Sequence, residues 1–367
     1  MDERLLNAKH TAVQAYIRRG PRPAASAMSF SIRPEQNVTG VGIGKRIVNG
    51  KQADEDCVRL YVEKKVGLQS IPQGMRLPAS IMGVPTDVVE SGRFHIGPRT
   101  AATKLALAVP VEQTRLRPAP PGCSIGFGVV DGMIMAGTFG ALVTNGQNTF
   151  ILSNNHVLAN VDKLTAGSPI YQPGLLDNGN PNTDQIAALT QAFPLNPSGT
   201  NQVDCAIAQV IISTDVTPVP LPQVGQLSSA STVSAAVGMG VEKVGRTTSY
   251  TQGTVTDVSA HVQVDYDNVT MDFDNIVVVN GSNGPFSAAG DSGSLIADQA
   301  TKQGTALLFA GSSQFTLANK LELVLGTLGV TLVIPELCTS LTLDRRGSPE
   351  VRIHFACAED QDQFVVL

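Results

Sequence analysis

Three short segments of this sequence contain the residue types that nucleophilic catalysis by a serine requires. His156 follows an apolar stretch, Asp204 precedes one, and Ser292 stands in the turn Gly290-Asp-Ser-Gly293. A serine hydroxyl becomes a strong nucleophile when an imidazole takes its proton, and a carboxylate must fix the tautomer of that imidazole. Glycines beside the serine allow a sharp turn whose amides point at the oxygen that becomes negative. The segments therefore predict a catalytic triad with His156 as general base, Asp204 as its orienting acid and Ser292 as nucleophile.

The elements that would position these residues are short strands. From Cys123 onward, apolar and β-branched runs alternate with turn residues about every ten positions, which is typical of a β-barrel or sandwich. Strands are predicted at 140–143, 149–153, 204–212, 237–244, 254–264, 276–279 and 306–310. A single late helix is predicted around 318–328. On this pattern, His156 lies at the end of one strand and Asp204 at the start of the next.

The three motifs occur in the order His, Asp, Ser, 48 and then 88 residues apart, and together they resemble the trypsin-like (chymotrypsin-fold) serine peptidases. Within this class the sequence looks like the bacterial intracellular trypsin-like peptidases and the narrow-leaf protease of plants. The resemblance covers about residues 122–335 and, more weakly, 37–95. It implies a double β-barrel with the triad in the cleft between the barrels. It also implies a serine endopeptidase that hydrolyses protein or peptide substrates through an acyl-enzyme on Ser292 and needs no cofactor.

The resemblance also implies roles for residues around the nucleophile. The amides of Gly290 and Ser292 would form the oxyanion hole, and the strand Phe309-Ala310-Gly311 would pair with the substrate backbone. Phe286, six residues before Ser292, would lie at the floor of the specificity pocket. Because that position has no carboxylate, we expect cleavage after small or medium apolar residues rather than after Arg or Lys.

The residues before the peptidase region divide into further predicted units. An amphipathic helix with a linker is expected within 1–36, and a small α/β domain within 37–98. The peptidase domain is expected over 116–335, and a C-terminal extension of one or two strands over 336–367. The predicted fold class is therefore mainly β, a double β-barrel preceded by a small α/β domain and an N-terminal helix.

Composition excludes several other classes of protein. The formal net charge is −5 and no basic stripe is present, so nucleic acid is not expected as a partner. Five cysteines without a CxxC pair argue against a disulfide framework and against a zinc site. The sequence has no secretory signal and no apolar run that could span a membrane, so a cytoplasmic protein is expected.

Several alternatives stay open at this point. The chain could be a scaffold that keeps the peptidase fold without turnover, or a peptidase held inactive until a partner or an oligomer orders the loop 283–293. The N-terminal region could bind a protein regulator, and the plant resemblance favours a homo-oligomer. Arg46-Ile47 resembles a zymogen cleavage point, but it precedes His156 by more than a hundred residues, which favours a plain strand. The acidic residues at 265–274 and 177–184 are compatible with a cation site, yet turn and hairpin patterns explain them and no metal is predicted.

Overall fold

The strands of this protein form two curled sheets, and a short helix packs at the N-terminal end of the chain. The computed structural model describes residues 2–17, 37–48, 51–97, 109–221, 224, 226–335, 337–343 and 349–355. Within these residues one sheet has eight strands, another has twelve, and a separate two-stranded hairpin lies near the C-terminus. The expected mainly β class, with two curled sheets and an N-terminal helix, is confirmed.

The helices are α1 (Glu3–Tyr16), α2 (Asn155–Leu158) and α3 (Leu321–Leu328). The strands of the eight-stranded sheet are β6 (Ser124–Phe127), β7 (Gly137–Thr138), β8 (Ala141–Thr144), β9 (Thr149–Ser153), β10 (Pro169–Tyr171), β11 (Gln185–Ala192), β13 (Ala206–Val210) and β20 (Thr331–Leu332). The strands of the twelve-stranded sheet are β1 (Val38–Val48), β2 (Lys51–Val62), β3 (Ser80–Ile81), β4 (Val84–Glu90), β5 (Phe94–His95), β12 (Thr200–Asn201), β14 (Gly240–Gly245), β15 (Ser249–Tyr266), β16 (Val269–Gly281), β17 (Leu295–Asp298), β18 (Gly304–Gly311) and β19 (Phe315–Lys320). The C-terminal hairpin consists of β21 (Leu337–Leu343) and β22 (Pro349–Phe355).

The eight-stranded sheet closes on itself as a barrel. Strands β6, β10, β11, β13, β9 and β8 pair in that order, and β7 pairs back with β6. Because β7 and β8 are successive parts of one chain segment, joined through Phe139 and Gly140, the ring is complete. Its interior is filled by small and branched apolar side chains, among them Ile125, Ile151 and Leu189.

The second barrel is closed by pairing alone. Strands β14, β15, β16, β19, β18 and β17 pair in that order, and β17 returns to β14. Valines and Phe286 fill its interior. The strand pairing therefore yields two closed six-stranded barrels, in agreement with the predicted double barrel.

The N-terminal strands continue the sheet of the second barrel. Strand β15 is long enough to pair with β1 beyond the barrel, at Gly40 opposite Val262, and β2 and β4 follow outward. Helix α1 covers this extension with Leu5, Ala8 and Val13, which pack on the apolar face of β1 and β2. The described residues 37–48 and 51–97, which belong to the small α/β domain expected over 37–98, contribute strands to the same sheet as the region expected as the peptidase domain.

Several local predictions agree with the structure and others differ by a few residues. Strand β9 has the predicted bounds, and the segment around Ile47 lies in β1 as expected. The late helix begins only at Leu321, because residues 315–320 form β19, and it ends at Gly329, whose φ of +67° suits a glycine. Histidine 156 lies not on the strand itself but in the single turn of α2 that follows β9.

Candidate active site

His156 and Asp204 meet in the interior of the protein. His156 Nδ1 lies 2.6 Å from Asp204 Oδ2, and both side chains are fully buried. The backbone amide of His156 donates to the other carboxylate oxygen at 3.3 Å. Strands β9 and β13 are neighbours in the first barrel, with Ser153 opposite Ala206, so the residues just beyond these strand ends are adjacent. The sheet register is therefore what brings the predicted acid to the predicted base.

Asp204 is held by two further residues that the motifs do not contain. The hydroxyl of Tyr266, at the end of β15, donates to Asp204 Oδ2 at 2.6 Å. The backbone amide of Asp204 donates to Asn319 Oδ1 at 2.9 Å. A buried carboxylate needs hydrogen-bond donors, and the Tyr266 hydroxyl is one, whereas Asn319 accepts from the backbone of Asp204 and so fixes the position of the residue. Both partners come from the second barrel, so the acid of one barrel is fixed by the other.

Ser292 lies on a tight turn that faces the first barrel. The carbonyl of Ser292 accepts from Thr138 N at 2.8 Å, and the carbonyl of Thr138 accepts from Ser153 Oγ at 2.8 Å. Thr138 therefore links the turn that contains Ser292 to β9, the strand that precedes His156. Ser292 Oγ donates to the carbonyl of Phe309 at 3.2 Å, while His156 Nε2 is buried with no hydrogen-bond partner among the described residues.

The backbone around Ser292 has the shape of an anion site. Gly290 has a φ of +99°, and a Cβ at this position would lie 2.4 Å from Thr247 Oγ1 and 2.5 Å from Arg246 Nη1. Only glycine fits this conformation and this space. Within the described part of the chain, neither the amide of Gly290 nor that of Ser292 donates a hydrogen bond to a protein group. Both amides are thus free to bind an oxygen atom that carries negative charge.

Asp291, the residue before the serine, anchors the turn in the second barrel. Its carboxylate accepts from the amides of Thr247 and Ala288 at 2.8 and 2.9 Å, and from the hydroxyl of Thr248 at 2.7 Å. Lys243 Nζ lies 3.6 Å away, and both charged side chains are fully buried. Burial lowers the pKa of Lys243, although Asp291 opposes this shift. Lys243 is therefore the internal cation that the carboxylate of Asp291 needs.

A cavity of about 330 Å³ opens beside Ser292. Its lining includes Pro285, Ala288, Leu308, Ala310 and Gly311, and none of the described lining residues is Asp, Glu, Lys or Arg. The other lining residues are mostly small, and they include four serines and His95.

The residues expected to bind substrate are not all exposed in this cavity. Ala310 and Gly311, two of the residues expected to bind substrate, line it. Phe309 is fully buried and contributes only its carbonyl to Ser292. Phe286, expected at the pocket floor, instead packs with valines inside the second barrel, with Lys243 Nζ 5.8 Å from its ring centroid.

The acidic stretches are occupied by protein cations. Asp274 lies 2.8 Å from Lys9 Nζ and 3.6 Å from His261, and Asp177 binds Arg246 through two oxygens at 2.5 and 2.6 Å. Burial disfavours the His261 cation, but the carboxylates of Asp272 and Asp274, 3.7 and 3.6 Å from its ring nitrogens, outweigh this effect and raise the pKa of His261. In the described residues no cluster of three or more His, Cys, Asp or Glu side chains could hold a metal ion.

Sequence reasoning missed Tyr266 and Lys243, the residues that support the acid and the turn. Tyr266 precedes the two-residue hairpin turn between β15 and β16, and Lys243 lies within β14. Each looks like an ordinary strand residue. The charged pair Glu242-Lys243 within a short strand that is apolar elsewhere was the only signal, since a buried cation requires a buried anion.

Among the described helices, none has the length and apolar character needed to cross a membrane.

Comparison with known proteins gives structural neighbours only. No protein-family profile matches the chain, and no curated protein matches it. Protease A of Thermobifida fusca has a TM-score of 0.41 and 17% identity, over 59% of this chain and 98% of that one. A glutamic acid-specific serine protease has a TM-score of 0.42 and 21% identity, over 59% and 100%. The chymotrypsin of Cellulomonas bogoriensis has a TM-score of 0.40 and 17% identity, over 59% and 98%. The solved structures similar to this chain are thus serine proteases of the trypsin/chymotrypsin fold.

Proposed function

We propose that this protein is a serine endopeptidase whose catalytic triad is His156, Asp204 and Ser292. The observation that carries the proposal is the fully buried contact of 2.6 Å between His156 Nδ1 and Asp204 Oδ2, which leaves Nε2 without a hydrogen-bond partner among the described residues. A neutral imidazole whose Nδ1–H group donates a hydrogen bond to a carboxylate presents a basic Nε2. That is the state in which it can accept the proton of a serine.

The proposed reaction begins with a rotation of the Ser292 side chain. Its hydroxyl leaves the carbonyl of Phe309 and turns to His156 Nε2, which takes the proton as Oγ attacks the scissile carbonyl. The amides of Gly290 and Ser292 bind the oxyanion, and Asp204 stabilises the imidazolium. His156 then gives its proton to the leaving amine, which leaves an acyl group on Ser292. Water activated by His156 hydrolyses this ester and regenerates the hydroxyl.

The substrate proposed is a peptide with a small or medium apolar residue before the cleaved bond. The mostly small lining of the cavity supports this preference, and so does the absence of acidic side chains from its described lining. Peptide libraries should give cleavage after Ala, Val or Leu. Efficient cleavage after Arg with none after these residues would overturn the preference. A homo-oligomer, a regulator bound at the N-terminal region and a cytoplasmic location remain predictions, and light scattering tests the first of them.

The decisive test of the peptidase is covalent labelling by a fluorophosphonate, with the adduct mapped by mass spectrometry. We expect the adduct on Ser292 and none in Ser292→Ala or His156→Ala. Ser294→Ala is the matched control, since Ser294 Oγ donates to the carbonyl of Asp291 at 2.6 Å and should remain unlabelled. A folded protein that never reacts at Ser292 would instead be a scaffold with a peptidase fold.

A further inference from the structure

The groove beside Ser292 contains a segment of the protein's own chain. Strand β5 lies between the ends of β15 and β18 and pairs with both. His95 is opposite Gly311 of β18 in antiparallel orientation and opposite Asp265 of β15 in parallel orientation. The amide of Ile96 donates to the carbonyl of Asp265 at 3.3 Å. The segment is therefore bound along both edges, as an added strand is.

The segment continues from this pairing toward the nucleophile. His95 and Gly97 both line the cavity that Ser292 borders. Gly97 touches the turn of the proposed oxyanion hole: a Cβ added to it would lie 2.9 Å from the Ala289 Cβ and 3.7 Å from the Gly290 amide nitrogen. A peptide that runs antiparallel to β18 from Gly311 to Gly290 occupies the position that a substrate would need.

Ile96, which lies between His95 and Gly97, packs against residues that contact the proposed triad. Ile96 is almost fully buried in a cluster that includes Tyr266 and Phe309. Tyr266 binds Asp204, and the carbonyl of Phe309 binds Ser292. The ring of His156 has no exposed surface. A substrate peptide cannot lie along β18 while these residues remain.

Phe94 anchors the segment in the N-terminal extension of the sheet. It is almost fully buried, and its ring meets that of Tyr61 in β2 edge to face, with centroids 6.3 Å apart. By contrast, Gly97 has a φ of +59°, and the side chain of His95 is exposed. The anchored end is therefore tied to the N-terminal strands, while the end near Ser292 is held by the pairing of His95 and the contact of Gly97.

We propose that residues 94–97 are an internal inhibitor that occupies the substrate groove in the manner of a peptide, so that reaction at Ser292 requires their displacement. This inference rests on the proposed peptidase function. It assigns to the N-terminal region a regulatory contact with the site itself, and a change in the N-terminal strands that moves Phe94 would open the groove.

Gly97→Val in the full chain tests the inhibitor directly. The new Cβ meets Ala289 and requires a backbone conformation unfavourable for valine, so the segment should leave the groove. We expect fluorophosphonate labelling of Ser292 to accelerate at least about tenfold, which corresponds to about 1.4 kcal/mol of lost docking free energy. Gly132→Val is the matched control, because Gly132 has a similar φ of +72° with nothing within 4 Å, and its labelling rate should equal that of the wild type.

A second variant and a competition experiment make the test independent of one substitution. His95→Pro cannot donate to β18 and should accelerate labelling as well. A synthetic peptide of residues 91–97 should slow the labelling of Gly97→Val and restore wild-type behaviour. Hydrogen exchange should be faster at residues 94–97 in both variants than in the wild type.

The possible failures are distinguishable. Equal labelling rates in the wild type and in folded Gly97→Val and His95→Pro would overturn the inhibitor and leave the peptidase intact. No labelling of Ser292 in any folded variant would overturn the peptidase, and the inhibitor with it. Acceleration by Gly132→Val to the same extent would also overturn the inhibitor, because backbone strain far from the groove would then explain the effect.

Discussion

The buried pair of Lys243 and Asp291 should control both the stability of the protein and the competence of Ser292. Lys243→Met removes the cation and keeps the length of the side chain. It leaves the Asp291 carboxylate in a fully buried site with four hydrogen-bond donors and no charge partner. The variant removes the charge together with the hydrogen bonds that Lys243 Nζ donates to Thr248 Oγ1 at 2.5 Å and to the carbonyl of Ser249 at 3.1 Å.

The magnitude follows from the distance and the burial. At 3.6 Å and an effective dielectric constant of about 20, the attraction is about 4 to 5 kcal/mol. The desolvation of the two charges offsets much of this attraction, in line with the lowered pKa of Lys243. When Lys243 is removed, however, the desolvation cost of the buried Asp291 carboxylate is no longer compensated by a cation. We expect the free energy of unfolding to fall by about 3 to 5 kcal/mol. Because Asp291 holds the turn of Gly290, Ser292 labelling should become at least about tenfold slower.

Urea denaturation measures the loss of unfolding free energy. The labelling rate of Ser292, measured without denaturant and well below the melting temperature, tests the competence of the turn. The control is Lys45→Met, which removes a lysine from the exposed ion pair with Asp54 and should change neither quantity. The double variant Lys243→Met with Asp291→Asn should lose less stability than the two single variants added together, by about 1 to 3 kcal/mol. If Lys243→Met were as stable as Lys45→Met, the charge would not hold the turn and this argument would be wrong.

Three further changes test other contacts. Tyr266→Phe removes a hydrogen bond to the Asp204 carboxylate worth about 1.5 to 3 kcal/mol, so labelling of Ser292 should slow by about tenfold or more at unchanged reagent affinity. Burial raises the pKa of Asp257 to about 6, above its unfolded value, so the folded state keeps an extra proton at low pH. Stability should therefore fall as pH rises from about 4 to about 6, by about 3 kcal/mol, and Asp257→Asn should flatten this dependence. Arg246→Lys cannot bind both oxygens of Asp177 and should cost about 1 to 3 kcal/mol in unfolding free energy.

Each of these has a clear contrary result. Tyr250→Phe deletes a hydroxyl that donates to Glu242 at 2.8 Å, away from the site, so equal slowing there would remove the special role of Tyr266. A wild-type melting temperature that rises between pH 4 and 6 in parallel with that of Asp257→Asn would contradict the buried acid. Unchanged stability of Arg246→Lys in urea would mean that the link between the barrels is not carried by Asp177.

The residues of the proposed triad could be selected from the sequence because each of them lies in a local pattern. His156 and Ser292 stand beside strand ends and glycine turns, where sequence signals are strongest. Phe286 was expected at the pocket floor because it lies six residues before Ser292. This count assumes that the backbone follows the same path to the pocket as in the peptidases that the sequence resembles. Here the Phe286 side chain turns into the barrel, where a large apolar ring gains more from burial than it would in the cavity.

Long-range partners gave no such signal. Tyr266 reaches Asp204 across 62 residues only because β15 and β16 extend far beyond the barrel. The same extension pairs β15 with β1, so the N-terminal strands continue the sheet of the second barrel. Both outcomes depend on the length of a hairpin relative to the barrel it leaves, a quantity that local periodicity does not contain.

The position of residues 94–97 beside Ser292 is the feature that the sequence predicted least, for a physical reason. A substrate groove binds backbone through strand pairing, so it accepts many sequences and imposes no motif on its occupant. An internal segment therefore needs only an extended pair of residues, an apolar anchor and a glycine where the turn comes close, as Phe94 to Gly97 provide. In the sequence these residues look like the end of a small unit. In the structure, however, β1 and β2 are joined to β15, and the chain that leaves β4 continues into β5, whose backbone groups pair with both β15 and β18.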